Sequence, residues 1–366
     1  MLADQYQPDL CDVLFDAKTD SVKRELSPFS PPEPTLFRSP KNAYRLRAEF
    51  RMWHDGDQLD YVMFPPGQRD KPLIVDTFPI AGPEITARMA PLRERLASSL
   101  ALRQKLFQVE FLSTLSGELL ISLIYHRPLD AAWESEARAL AGHLGCKLIG
   151  RSRKQKLVLH EEWVEERLEV GDKHYRYRQP EQCFTQPNGH INRMMMEWLM
   201  ANCEPTDSDL LELYCGIGNF TLPLSERFGR VLATELSKKA TEAAQWNAVA
   251  NGIENIEFAR LSAEDMTSAL ANVRHFRRLE HLTQPLTCYR FSTLLVDPPR
   301  AGLDPATLKL AAGFERVLYI SCNPDTLRDN LAELTGTHII ERLAFFDQFP
   351  YTSHLESGVI LKRRTQ

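Results

Sequence analysis

Between residues 209 and 322, five short apolar runs recur with helix-forming sequence between them: DLLELYC, RVLATEL, IEFARL, FSTLLVD and RVLYISC. Runs that are apolar throughout belong to strands buried on both faces, and strands joined through helices are parallel. This rhythm predicts a doubly wound α/β sheet for the second half of the chain. The chain closes with HIIERLAFFDQFP and ESGVILKR, two strands with no helix between them, so the final pair is expected to be antiparallel.

The first half follows a different pattern. YRLRAEFRMW alternates, HDGD turns and QLDYVMF returns; FQVEFLSTL, SGE and LLISLIYH repeat the arrangement. Each hairpin is followed by a helical stretch, ARMAPLRERLASSLALRQKL and then DAAWESEARALAGHL. These units predict an α+β domain with an antiparallel sheet over residues 1–180, ahead of the parallel-sheet domain over 181–366. The proline-rich SPFSPPEPTLFRSP reads as an extended lead-in that cannot pair as a central strand.

A formal net charge of −5 gives no global attraction to nucleic acid, so any such attraction must be local. Two basic patches qualify: RSRKQK, from Arg151 to Lys156, and KHYRYR, from Lys173 to Arg178, where Tyr175 and Tyr177 interleave the bases. Alternating bases and aromatics suit RNA, and a solvated strand face is the alternative. The seven cysteines are odd in number, scattered and never in a Cys-x-x-Cys pair, which argues against a disulfide framework, a zinc site or an iron–sulfur cluster. No run reaches the roughly 18 apolar residues of a membrane helix, and the opening MLADQYQPDLCDVLFDAK lacks a basic start with an apolar core. A cytoplasmic chain without a membrane or an implied protein partner is expected.

LLELYCGIGNFTLPL is a strand running into Gly216 and Gly218 and then a helix, where glycines permit positive φ and close approach of a ligand. The next strand ends in Glu235, 17 residues beyond Gly218, near the spacing at which an acidic side chain meets ribose hydroxyls. After Gly218 come Asn219, Phe220 and Thr221, with no third glycine to cradle a pyrophosphate. A nucleoside cofactor without phosphates, S-adenosylmethionine, fits better. Here the chain resembles the class I methyltransferases.

The fourth strand ends LLVDPPRAGL, placing Asp297 at a carboxyl strand end beside the stiff Pro298–Pro299. Methylases of exocyclic amines place an aromatic after such a diproline; Arg300 stands there instead, a guanidinium able to contact phosphate or stack on a base. Cys322 ends the fifth strand, and Pro324 takes a first helical position just after it. A helix amino end favours the thiolate, so the position suits a nucleophile, with simple packing as the alternative. Thiolate addition to C6 of a pyrimidine would make C5 enolate-like and able to accept a methyl group, after which a base must remove the C5 proton. YTSHLESGVILK offers Glu356, and behind it His354, for that task.

Taken in order, FTQPN (Phe184 to Asn188), LYCGIGNF, TELSKKATEAAQWNAVANGI, VDPPRAGLD, YISCNP and FDQFPYTSHLESGVI resemble the RNA uracil-5-methyltransferases, and within them the transfer RNA branch. The likeness extends to YRLRAEFRMWHDGD and LFQVEFLSTLSGE in the first half. It implies Gln186, Tyr214, Asn219, Glu235 and Asp297 around the cofactor, Cys322 as nucleophile and Glu356 as proton acceptor. The implied substrate is the T-loop uridine that becomes ribothymidine, in transfer RNA and also in the T-loop-like arm of transfer-messenger RNA. Ribosomal relatives commonly carry an amino-terminal β-barrel and a cysteine-ligated cluster, and the chain shows neither signature, which favours transfer RNA. The first half would hold the arm through Phe107, Arg151, Arg153 and Lys154, with the target base flipped out of its stack. A ribosomal RNA uracil-5-methyltransferase, an RNA cytosine-5-methyltransferase using the same thiolate chemistry, and a non-enzymatic RNA-binding folding module are the alternatives.

Overall fold

The computed structural model describes residues 6–65, 67–68 and 71–365, so the first five residues of the opening stretch lie outside it. The chain begins with α1 (Cys11–Leu26) and, after the prolines, a three-residue strand β1 (Thr35–Phe37). The prolines at 28, 31, 32 and 34 offer no amide donors, so pairing is confined to a short edge strand. That edge belongs to the second unit: β1 runs parallel to Ala344–Phe346, and Phe15, Val22 and Leu26 of α1 sit in the second unit's core. The expected division at residue 180 therefore does not hold at its start, where Phe15, Val22, Leu26 and β1 pack with the later half while Cys11 sits in the core of the first unit.

The first sheet contains β2 (Arg47–Asp55), β3 (Gln58–Met63), β4 (Leu73–Ile74), β5 (Leu106–Ser113), β6 (Leu119–Tyr125), β7 (Lys147–Ser152) and β8 (Gln155–Val158), in the order β4-β3-β2-β5-β6-β7-β8. Helices α2 (Pro83–Ser98), α3 (Leu100–Arg103) and α4 (Ala131–Leu144) share its core. The pairs are antiparallel as expected except β6 with β7, which are parallel because α4 crosses between them. Asp130 caps α4 by accepting from the Trp133 amide at 2.8 Å, and Gly145 ends it at φ +60°. Trp133 then packs so closely over Gly150 that a Cβ there would lie 2.1 Å from its ring.

A two-stranded ribbon, β9 (Trp163–Val170) and β10 (Lys173–Pro180), follows. Its inward residues Leu168, Val170, Tyr175 and Tyr177 join a core with the second unit, so by packing this hairpin also belongs to the later half.

The second sheet is built from α5 (Gly189–Ala201), β11 (Asp209–Leu213), α6 (Thr221–Leu224), β12 (Arg230–Thr234), α7 (Lys238–Ala250), β13 (Ile256–Ala259), α8 (Ala263–Leu270), β14 (Phe291–Val296), α9 (Pro305–Ala311), β15 (Arg316–Ser321), α10 (Pro324–Leu334), β16 (His338–Phe346) and β17 (Glu356–Arg363). Its order is β1-β16-β17-β15-β14-β11-β12-β13; β17 is antiparallel to both neighbours and the five strands from β15 to β13 are parallel. Chain order reverses between β11 and β14, and at such a switch the carboxyl strand ends open a crevice for ligands. Among the described residues no helix is long and apolar enough to cross a membrane.

The two units are joined by a dense polar seam. Leu46 donates its amide to the Pro187 carbonyl at 2.7 Å, and Arg47 donates to the carbonyls of Glu181 at 2.8 Å and Cys183 at 2.5 Å. The buried Glu181 carboxylate accepts in turn from Ser122 at 2.7 Å and from Arg151 at 2.6 Å.

Candidate active site

A cavity of about 630 Å³ opens at the carboxyl ends of β11, β14 and β15 and is bordered by Gln186, Tyr214, Gly216, Asn219, Glu235, Asp297, Arg300, Cys322, His354 and Glu356. The chain leaves β11 through Tyr214 at φ +63°, Gly216 at +57° and Gly218 at +82°. Gly218 is doubly constrained, since a Cβ would also meet Leu222 at 2.8 Å. Glu235 braces this turn: its carboxylate accepts from the Gly216 amide at 3.1 Å and from the Ser237 amide at 2.6 Å. An amide that a pyrophosphate would need is thus already facing a carboxylate, which fits a cofactor without phosphates. Asn219 and Asn192 exchange side-chain hydrogen bonds at 2.8 and 2.9 Å, and Tyr177 donates its hydroxyl to the Asn219 carbonyl at 3.0 Å. Gln186 accepts from Gln348 at 2.7 Å.

The acidic and nucleophilic groups meet on the other side of the cavity. Ser321 opposite Ser357 is the last pair of β15 with β17, so Cys322 and Glu356 stand one step beyond it. Asp297 follows directly on β14, the other neighbour of β15. Burial pushes the Asp297 carboxyl up to about 7. Burial, then the Asp297 charge, pushes Glu356 well above the usual carboxylate range. Burial and the charges of Glu356 and Asp297 push the Cys322 thiol up to about 11, against the opposing effect of Arg300. Cys322 does precede α10, whose cap is Asn323, and the two carboxyls and the desolvated setting act against the thiolate that a helix amino end favours. The Arg300 carbonyl accepts from Asn323 at 2.9 Å and from Thr326 at 3.3 Å, tying the diproline turn to the cysteine turn. Its guanidinium, exposed at the mouth, donates to Nδ1 of His354 at 3.1 Å.

The candidate RNA residues are dispersed. Phe107 lies under the Arg51 guanidinium, 3.7 Å from its ring centroid, and stacks on His126 with centroids 4.0 Å apart. Arg153 and Lys154 are exposed on the turn between β7 and β8. Arg151 is turned inward onto Glu181 and belongs to the seam between the units. KHYRYR is likewise structural: Tyr175 and Tyr177 are buried, Arg176 pairs with Glu165 at 2.8 Å, and Arg178 lies 3.9 Å from the centroids of both Trp163 and Trp246. Sequence reading missed Asn192, Gln348, Arg51 and His126, whose partners lie far away along the chain. Phe184, 68 % exposed, stands between the main cavity and a second one of about 420 Å³.

Comparison with known proteins agrees with this arrangement. The family described as tRNA (Uracil-5-)-methyltransferase matches residues 11–364. A tRNA/tmRNA (uracil-C(5))-methyltransferase of Aromatoleum aromaticum is 55% identical over 347 residues, 95% of this chain and 94% of the relative. One of Ectopseudomonas mendocina is 52% identical over 364 residues, covering all of both chains at 100%. In fold, the crystal structure of Pyrococcus abyssi tRNA (uracil-54, C5)-methyltransferase with S-adenosyl-L-homocysteine superposes with a TM-score of 0.70 at 20% identity, over 96% of this chain and 83% of that one. The chain, a SAM-dependent methyltransferase in fold, belongs to the tRNA (uracil-5-)-methyltransferase family.

Proposed function

We propose that this protein methylates C5 of the T-loop uridine of transfer RNA, position 54 in the name of the Pyrococcus abyssi enzyme, and the matching uridine of transfer-messenger RNA named for the bacterial relatives. The observation that carries this reading is the convergence of Cys322, Asp297 and Glu356 on one cavity with Gly216, Asn219 and Glu235. A protein that only bound RNA would need neither a thiol nor two carboxyls forced together with their charges disfavoured.

Gln186, Tyr214, Asn219, Glu235 and Asp297 would hold the cofactor. S-adenosylmethionine, when bound, supplies the methyl group that C5 receives, and its sulfonium charge favours the ionised forms of the carboxyls near it. Cys322, its S–H proton first released to solvent, adds as the thiolate to C6 of the uracil, and the C5–C6 π pair shifts toward C5 and the C4 carbonyl oxygen, which raises electron density at C5. Glu356 takes the C5 proton after C5 is methylated; the C5–H electron pair re-forms the C5–C6 double bond, and the C6–S bond breaks to return the Cys322 thiolate. A carboxyl raised by burial is a better proton acceptor than an ordinary one once ionised.

Phe107 with Arg51 and His126 offers an aromatic and cationic stack for the arm, while Arg153, Lys154 and Arg300 offer charges for phosphates. The test is methyl incorporation into T-arm transcripts carrying uridine or cytidine at the target. Incorporation with uridine alone is expected. Incorporation with cytidine alone would replace this reading by a cytosine-5-methyltransferase.

A further inference from the structure

We infer that Lys18, on the amino-terminal helix and outside the cavity, is a positioning residue that sets the placement of Glu356 by gathering the loop that delivers it. Its ammonium lies 2.6 Å from Oδ1 of Asp347 and 3.2, 3.5 and 2.9 Å from the carbonyl oxygens of Phe349, Thr352 and His354. The two charged side chains are 8% and 2% exposed and stand 329 residues apart in the chain. Three N–H donors are therefore shared among four oxygens drawn from one eight-residue stretch, residues 347–354.

This stretch joins β16 to β17 without strand or helix pairing of its own. Tyr351 sits in the left-handed region at φ +63°, a conformation that a side chain other than glycine keeps only where its surroundings hold it. The Tyr351 hydroxyl donates to the Lys41 carbonyl at 2.6 Å, a second tie to the amino-terminal segment. Phe349 and His354 border the cavity, Gln348 donates to Gln186, and the loop runs directly into Glu356. A buried lysine is costly unless it is fully paired, and an apolar side chain would fill the same space more cheaply. What the apolar side chain could not do is satisfy Asp347 and three converging carbonyls at once.

The inference rests on Glu356 being the proton acceptor. In the step concerned, the proton leaves C5 for the Glu356 carboxylate and the Cys322 sulfur leaves C6; a displaced Glu356 slows that step and leaves methylated RNA attached to the protein. The test compares full-length wild type, Glu356→Gln, Lys18→Met, Lys18→Arg and Asp347→Asn on T-arm transfer RNA carrying uridine or 5-deuterouridine at the target. The isotope effect is a ratio within each protein, so it does not depend on the folded fraction. Asp347→Asn breaks the same pair from the other side, in case Lys18→Met does not fold.

In Lys18→Met or Asp347→Asn, turnover is expected to fall roughly 10- to 100-fold, the scale of a small displacement of a reacting group. The deuterium effect should rise above that of wild type, methylated covalent protein–RNA adduct should accumulate, and Lys18→Arg should recover part of the loss. A wild-type isotope effect without adduct in both variants overturns the inference when Glu356→Gln itself accumulates adduct. If Glu356→Gln accumulates none, the assignment of the base fails first and the inference falls with it.

Discussion

Cys322 and Glu356 face each other one step past the last pair of an antiparallel ladder, Ser321 with Ser357, at the point where β17 is inserted beside β15. The reversed closing strand is what allows this. A parallel strand in that slot would present its carboxyl end at this crevice, whereas β17 presents its amino end and so brings the residue at its very start. The same pairing lets the Glu356 charge help push the Cys322 thiol up, while Glu356 itself is raised by burial and by the Asp297 charge.

Removing the proton acceptor should leave the earlier bond-forming steps in place. Glu356→Gln is expected to accumulate methylated RNA bound to Cys322, with turnover lowered by roughly 10²- to 10⁴-fold, the usual scale for loss of a general base. Denaturing electrophoresis of labelled RNA reads the adduct directly. Normal turnover with rapid release would point to another base.

The resting acidity of Cys322 predicts the pH course of its alkylation. With the thiol raised to about 11, the thiolate fraction grows about tenfold per pH unit through the neutral and mildly alkaline range. Iodoacetamide labelling mapped to Cys322 in the free protein should therefore still be rising at about pH 9. A plateau near the ordinary cysteine value of about 8.5 would contradict the desolvated, acid-flanked site.

Glu212 on β11 carries a buried carboxyl that burial chiefly, aided by the Asp297 charge, pushes up to about 8 from 4.5. A carboxyl raised on folding binds more protons in the native than in the unfolded state, so its contribution to stability falls as pH rises from about 4.5 to about 8. Glu212→Gln removes that dependence. Its stability relative to wild type should improve by on the order of 3 kcal/mol between about pH 5 and about pH 8 in urea unfolding. A pH-independent difference would show that Glu212 is not raised.

Two glycines separate packing from propensity. Gly150→Ala would drive a Cβ to 2.1 Å from Trp133 and 2.6 Å from Leu129, and should destabilise the first unit by about 3 kcal/mol or more. Gly142, inside α4, has nothing within 4 Å of such a Cβ, and Gly142→Ala should stabilise by about 0.5–1 kcal/mol. Chemical denaturation of the two variants measures both, and similar effects from the two would refute the packing argument.

Much of this arrangement is legible in the sequence because it is local. Fully apolar runs report strands covered on both faces, and the missing helix between HIIERLAFF and ESGVILKR reports the reversal of β17. Gly216, Gly218 and Glu235 are separated by little more than one β-α-β step, so spacing alone brings them to one turn. What spacing cannot report is which face of a strand is covered. KHYRYR alternates as a basic RNA surface would, yet its tyrosines point inward, because the ribbon packs on α5 and the glycine turn through their rings and hydroxyls. Arg151 reads as an exposed charge until Glu181 is brought under it by the joint between the units. The acidity of Cys322 depends on carboxyls from two other strands, and Lys18 on a partner 329 residues away. Such contacts exist only after the sheet has assembled.

The most direct measurement uses T-arm transfer RNA with 5-fluorouridine at the target position, S-adenosylmethionine and the intact protein, followed by mass mapping of any protein–RNA bond. Fluorine cannot leave C5 as a proton, so a methylated adduct on Cys322 is predicted to persist, and Cys322→Ala should form none. A protein that binds both ligands yet forms no adduct, or forms it at another cysteine, would contradict the account and return Cys322 to the role of a packed side chain at the end of β15.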